Sequence, residues 1–513
     1  VTLNISNIIN AVISDTISKV RGTGLKAKSF RAVMKLGIGT MAGHGMKFVR
    51  RMVLAKLLAP SEIGLMAIVV GFSMAFEAFT EVGIKEAVIQ NKSGAKKDYL
   101  NVTWWMQIVR SIFLFLIAFL SAPYISSFYN KPEILNLLRV CFLAILFKGL
   151  VSPRVYVLEK EYRFGRSVFL TQGSAVLGAV ATIVLAFIIR NVWALVMGFV
   201  AEMALLCLLS FVFVPIIPRL KIDRESLIEL MRFARGMFGL PILAFISFQA
   251  PILVLGKIVS DEQLGLYSYA TMLAFFPVMI YTKMISPVLL PAFSKKQDDK
   301  NALCRGLLHA AYLTAVFGIL VASYLACCSS ELLCIIYKPV YASMAFPFAV
   351  LCIDIVIRTE AAILAGLYMA VGKPNLHRRF SILRAIAIIG FIYPASVYFG
   401  PMGAATVIIL SNLFILIMQV LGCRKIIGLK FNRYLISFVP GLLLALPVIL
   451  TFDMLWLFGI DNFILVIGIS AFVFIITFVA GVFVLIRPQL LPGIIGKAGV
   501  KLQLAFSPGG QPF

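Results

Sequence analysis

Long apolar runs follow one another from about residue 33 to residue 486, and basic residues gather between alternate runs. Hydrophobic residues make up 61% of the 513, and mean hydropathy is +1.00. Soluble domains are closer to half apolar. A soluble core could not bury this much apolar surface, and lipid removes the need. The chain therefore reads as an all-α polytopic membrane protein. A span needs roughly 20 apolar residues, and about fourteen stretches qualify. They are 33–58, 63–89, 101–122, 134–157, 167–189, 193–215, 235–258, 264–291, 303–328, 344–371, 380–399, 402–422, 435–458 and 462–486. The first is the least apolar, interrupted by Lys35, His44, Lys47, Arg50, Arg51 and Lys56. Counting it keeps the loop charges in phase.

Those charges set the expected orientation, because cytoplasmic loops carry an excess of Lys and Arg. One side holds Lys19, Arg21, Lys26, Lys28 and Arg31, then the clusters around Lys96, Arg163, Arg224, Lys296, Arg379, Lys430 and Lys497. The other holds only Lys131, Arg190, Lys257 and Lys338. Both termini are then expected in the cytoplasm. The net charge of +25 reflects this topology and attraction to anionic phospholipids. Nucleic acid is not an expected partner, since no soluble domain remains to bind it.

The expected organisation has six parts. Residues 1–32 form a cytoplasmic N-terminal segment, in which Ile5, Ile8, Ile9, Val12, Ile13 and Ile17 recur at helical spacing. An interfacial amphipathic helix and a disordered tail both remain open there. Spans 1–6 form a first lobe at 33–215, and 216–234 is a basic amphipathic linker. Spans 7–12 form a second lobe at 235–422, followed by spans 13 and 14 at 423–486. A Pro- and Gly-containing cytoplasmic tail covers 487–513. The two lobes read as a repeat. Val53-Leu54-Ala55-Lys56-Leu57-Leu58-Ala59-Pro60-Ser61-Glu62-Ile63-Gly64-Leu65 aligns without a gap on Val254-Leu255-Gly256-Lys257-Ile258-Val259-Ser260-Asp261-Glu262-Gln263-Leu264-Gly265-Leu266. Six spans per copy keep both copies in one orientation, an arrangement suited to alternating access. In such rocking the turns at 59–63 and 260–264 would meet.

Short loops argue against a membrane glycan polymerase or ligase, which needs an extramembrane region to hold sugars. The chain has no His-Glu-x-x-His, phosphate-cradling Gly loop or Ser nucleophile elbow. No cofactor is expected. The eight cysteines have no metal-ligand spacing, although Cys327, Cys328 and Cys334 cluster closely enough for a disulfide to be conceivable. Their other reading is as small apolar residues in helices.

Charges inside the apolar runs are the candidate site, because each costs a few kcal/mol or more in lipid. Lys47, Arg50 and Arg51 lie in span 1 and Lys148 in span 4; these cavity cations are the expected anion ligands. Arg offers a bidentate fork for a pyrophosphate, and Lys a point charge. Glu77, Glu81, Glu202, Lys283, Asp354, Arg358 and Glu360 are candidates for polar cavity contacts or for coupling to Na+ or H+. Antiparallel spans 1 and 2 put Lys47 and Glu77 at similar depth. For Glu81 with Lys85 and for Asp354 with Arg358, an ion pair that only locks packing is an equal reading. Pro241 and Pro251 in span 7, and Pro277, Pro287 and Pro291 in span 8, permit bending.

Three motifs resemble one family. The stretch Leu57-Leu58-Ala59-Pro60-Ser61-Glu62-Ile63-Gly64 after a basic first helix resembles the hairpin of polysaccharide flippases. Ala370-Val371-Gly372-Lys373 and Phe399-Gly400-Pro401-Met402-Gly403-Ala404-Ala405 resemble two further landmarks. Residues 30–487 thus look like a Wzx-type lipid-linked oligosaccharide flippase of the multidrug/oligosaccharidyl-lipid/polysaccharide (MOP) superfamily, nearest its colanic-acid-type branch. The resemblance implies two pseudo-symmetric six-helix lobes in a V, plus two C-terminal helices. It implies export of an undecaprenyl-pyrophosphate-linked repeat unit from inner to outer leaflet, by a monomer that works with a polysaccharide polymerase and other assembly proteins. The family's first-helix cations match Lys47, Arg50 and Arg51. Spans 13 and 14, with Pro440 and Pro447, would supply a groove for the polyprenyl tail or simply face lipid. A cation-coupled multidrug exporter and a peptidoglycan-precursor flippase are the alternatives within the superfamily.

Overall fold

The computed structural model describes residues 25–80, 83–161, 163–216, 219, 223–237, 239–459 and 462–486. Among them every regular element is helical. Backbone groups in lipid must be satisfied within the protein, and a helix does this segment by segment. Contacts divide the chain into two units. Unit one gathers the residues up to Leu58 with Ile68–Ile242, and unit two gathers Ala59–Ala67 with the residues from Leu243 onward.

Among the described residues ten helices are long and apolar enough to cross a membrane, or up to twelve if each of two bent pairs is one span. Fourteen were expected, and two places explain the difference. The helix α1, Leu25–Leu57, is long but carries eight cations and no acid of its own. The helix written as one piece over Pro374–Ile427 is broken at Gly400, with φ 54° and ψ −135°, a backbone only glycine takes easily.

In unit one α1 is followed by α2 (Pro60–Thr80), which the contact division splits between units, and by the short α3 (Ile84–Gln90). Next come α4 (Lys97–Tyr129), α5 (Ile134–Cys141), α6 (Leu143–Leu150) and α7 (Arg154–Lys160). The α8 helix (Phe164–Ile189), α9 (Val192–Phe213) and α10 (Arg224–Met237) complete it. Glycines let helices approach closely. A Cβ on Gly39 would fall 2.0 Å from Val168 of α8, and one on Gly43 would fall 1.8 Å from Gln172. Small residues at such contacts are how membrane helices gain packing area without a hydrophobic driving force.

Within 216–234, Arg219 and α10 are held by specific contacts. The Asn101 amide accepts from Arg219 N at 2.7 Å and donates to Arg219 O at 2.8 Å, and the Trp105 indole donates to the same carbonyl at 2.9 Å. Leu230 of α10 is buried against Ala87, Val88, Tyr99 and Leu100, while Ile228 and Met231 stay exposed. The contact boundary falls beyond α10, at Ile242.

Unit two contains α11 (Leu240–Phe248), most of which lies past the boundary, then α12 (Ala250–Ile258), α13 (Asp261–Ser294) and α14 (Lys300–Cys327). It continues with α15 (Ser329–Ile336), a 3-10 turn at Pro339–Met344 and α16 (Ala345–Ala370). The broken α17 (Pro374–Ile427), α18 (Phe431–Ile436), α19 (Val439–Leu457) and α20 (Phe463–Ile486) follow. Its main core joins Leu307, Ile363, Leu364, Leu367 and Tyr368 with Phe380, Val420 and Cys423. The repeated motif meets itself here. A Cβ on Gly64 would lie 1.9 Å from Asp261 O, and one on Gly265 would lie 1.8 Å from Pro60 O. Those are equivalent positions of the repeat, so the two helix starts contact each other reciprocally. All eight cysteines are free thiols, so the conceivable disulfide near Cys327 is not formed.

Candidate functional site

The α1 cations converge on one acid. Lys47 and Arg50 are three residues apart, so they share a helix face. Lys47 Nζ lies 2.7 Å from Glu202 Oε1, and Arg50 Nη1 lies 3.2 Å from Glu202 Oε2. Glu202 stands midway along α9 with its side chain only 7% exposed, against 30% for Lys47 and 17% for Arg50. Gly178 of α8 makes room for it, since a Cβ there would sit 2.6 Å from Glu202 Cβ. Removing one partner of such a buried cluster leaves an uncompensated charge. Two cations on one carboxylate leave one unit of positive charge for another anion to meet. Arg51, the next residue, is half-buried.

A second cluster lies elsewhere in unit one. Lys148 Nζ is 2.5 Å from Glu77 Oε2, and Arg110 Nη2 reaches Glu77 O at 3.5 Å. Lys85 pairs with Glu159 at 2.9 Å, and Gln107 Nε2 donates to Tyr156 Oη at 3.0 Å. Glu77, Lys85, Gln107, Arg110, Lys148 and Tyr156 all line one cavity between α2, α3, α4, α6 and α7. Lys47 and Arg50 thus pair in one cluster and Lys148 in another. The depth match of Lys47 with Glu77 is replaced by two other pairings. Each cation has instead taken the carboxylate of a helix beside it, a choice that loop-by-loop depth counting cannot resolve.

Unit two holds the third cluster. Arg358 Nε lies 2.5 Å from Asp354 Oδ2, one turn away on α16. Asn412 Nδ2 donates to both Asp354 oxygens, at 2.9 and 3.1 Å. The Arg358 guanidinium lies over Phe248 at 4.7 Å and Phe275 at 4.5 Å. Glu360 is fully buried and accepts from Tyr434 Oη at 2.8 Å. Glu81 lies outside the described residues, as does the side chain of Lys283. Among the described residues no group of His, Cys, Asp or Glu could hold a metal ion.

A family model described as "Polysaccharide biosynthesis protein" matches residues 53–345, more than half of the chain. The chain belongs to this polysaccharide biosynthesis family. The chain is similar to the lipopolysaccharide biosynthesis protein WzxC of Escherichia coli (strain K12). The two are 22% identical over 430 residues, covering 82% of this chain and 86% of WzxC. Among solved structures it is similar to the lipid II flippase MurJ in an inward closed conformation. There the TM-score is 0.72 at 14% identity, covering 88% of this chain and 98% of that one. It is also similar to an inward-facing multidrug resistance MATE transporter of the MOP superfamily, with TM-score 0.62, 16% identity and coverage of 77% and 98%. These likenesses establish the transporter fold.

Charge alone does not single out Gln107, Tyr156, Asn412, Phe248 or Tyr434. Gln107 and Asn412 are the traceable ones, since an amide inside an apolar run is itself a polar group that must find a partner.

Proposed function

We propose that this protein is a flippase, not an enzyme, that carries an undecaprenyl-diphosphate-linked oligosaccharide from the inner to the outer leaflet of the bacterial inner membrane, for surface polysaccharide synthesis. Family membership and the transporter fold support the class. The observation that carries the substrate is the pairing of Lys47 and Arg50 on the single carboxylate of Glu202. Without substrate, Glu202 keeps two cations from standing unopposed in the bilayer. A diphosphate supplies the further negative charge, and the Arg50 fork can hold it through two parallel hydrogen bonds. Glu202 thereby acts as an internal stand-in for part of the substrate charge. The basic loops and both termini face the cytoplasm, where the lipid-linked unit is assembled.

The test is flux of labelled lipid-linked glycan in proteoliposomes, with surface polysaccharide measured in cells. Arg50→Ala lowers flux by about tenfold or more, as loss of a charge-assisted contact predicts. Protein abundance stays near wild type. A parallel fall in abundance would assign the cluster to packing.

A further inference from the structure

The cavity lined by Gln107 and Tyr156 has polar groups that the Lys47–Arg50 reading does not use. It holds about 80 Å³ of water-accessible volume, within about 630 Å³ of unoccupied space that includes open solvent. Gly149 shapes it, because a Cβ there would lie 2.1 Å from Ser111 Oγ, so α6 runs directly against α4.

Gln107 is only 6% exposed. Its Nε2 donates to Tyr156 Oη, and its Oε1 has no hydrogen-bond partner. Buried polar atoms in this condition are uncommon and ask for an explanation. Turning the amide over exchanges the roles and still leaves one amide atom unmet. Tyr156 Oη accepts from Gln107 and keeps its own proton to donate. Ser111 Oγ already donates to Ile108 O at 2.9 Å, so it can only accept. The cavity thus offers acceptors and a donor side by side. A phosphate brings acceptors only, so it would meet the open position only with the amide turned over and leaves Gln107 Oε1 unmet as it stands. A hydroxyl group both donates and accepts, and a sugar ring presents several in a row.

We propose that this cavity is a sugar subsite, in which Gln107 Oε1 accepts from one ring hydroxyl and Tyr156 Oη donates to its neighbour. That water-accessible volume suits an edge of one ring, with the rest of the glycan outside the mouth. Arg110 and Lys148, with Glu77 between them, flank that edge. The assignment rests on the flippase reading and adds that selection for the glycan, as distinct from its diphosphate, is made inside unit one.

Binding of two lipids to the purified full-length protein tests it. One probe is undecaprenyl diphosphate without sugar, and the other is the lipid-linked glycan from the producing strain. Gln107→Leu is expected to weaken the glycan lipid about tenfold, the size of one hydrogen bond to a buried acceptor. Binding of the sugar-free lipid should not change. The melting temperature should not fall, because an apolar side chain of similar shape removes an unmet acceptor. Should Gln107→Leu fail to fold, Tyr156→Phe makes the same test, with a selective loss of several-fold. If Gln107→Leu weakens both lipids equally, or weakens neither, the cavity holds only water and the subsite is wrong. Wild-type protein that binds neither lipid would overturn the flippase reading, and the subsite with it.

Discussion

Two buried ion-pair clusters, one in each unit, use the same residue types to opposite effect. In unit two, Asp354 is hydrogen-bonded to one cation, Arg358, and one amide, Asn412, and the charge of a further residue, Arg384, acts on both Asp354 and Arg358. Asp354 is fully buried and Arg358 is 8% exposed. Arg358 Nη2 has no hydrogen-bond partner, and two aromatic faces hold the guanidinium instead. In unit one, Glu202 meets two cations that remain 30% and 17% exposed. The hydrogen-bonded pair in the first cluster is one-to-one and shut away from solvent, as a packing element would be. The second has surplus positive charge and reachable cations, as an anion site would. Charge inside a membrane helix is therefore not by itself a mark of function. What separates the two cases is whether the paired cations can be reached by a ligand.

The most severe break of that comparison is Asp354→Ala, which strands Arg358. It should cost about 3–5 kcal/mol, seen as a large fall in melting temperature in detergent. The double change Asp354→Leu with Arg358→Met should recover most of that loss. A single mutant as stable as wild type would erase the distinction drawn between the clusters.

A smaller effect is expected where α8 and α9 touch in unit one. Gly178→Ala places a Cβ 2.6 Å from Glu202 Cβ, so Glu202 must shift. Overpacking of this kind costs about 1–3 kcal/mol. Because Glu202 holds both cations, glycan flux should fall further than stability alone explains. Flux that simply tracks protein abundance would detach Gly178 from the site.

The smallest effect contrasts the buried acids with an exposed one. Asp299 caps α14, accepting from Asn301 N and Ala302 N at 2.9 Å each. Those backbone donors, Ala302 first, hold its carboxyl below the usual carboxylate range. A depressed folded value stabilises the cap above the ordinary carboxylate pKa, and the benefit is lost as pH falls through the lowered value. Asp299→Ala should speed hydrogen exchange in the first turn of α14 near neutral pH and leave glycan flux unchanged. Equal exchange in mutant and wild type at that pH would show that the cap contributes nothing.

Much of the candidate site is legible in the residues alone. Lys47, Arg50, Lys148, Glu77 and Glu202 stand out because a charge in an apolar run is expensive and must have a reason. Gln107 leaves only the weaker signal of an amide in an apolar run, and Tyr156 leaves none, since a phenol costs less and often pairs locally. The repeat at 53–65 and 254–266 is readable as text, and only the folded chain brings Gly64 and Gly265 onto each other's backbones.

The membrane class, the all-helical architecture and the positions of costly charges came from the sequence by itself, because hydropathy and helical spacing act over some twenty residues. Which charge meets which was a matter for the tertiary structure. Lys47 is expected at the depth of Glu77 yet pairs with Glu202, while Glu77 pairs with Lys148, 71 positions along. Arg50 reaches Glu202 across 152 positions, and Asn412 reaches Asp354 across 58. Depth along a helix is written in its own residues. The neighbour it faces depends on how every other helix packs, down to a missing Cβ at Gly178, and that information is spread over the whole chain.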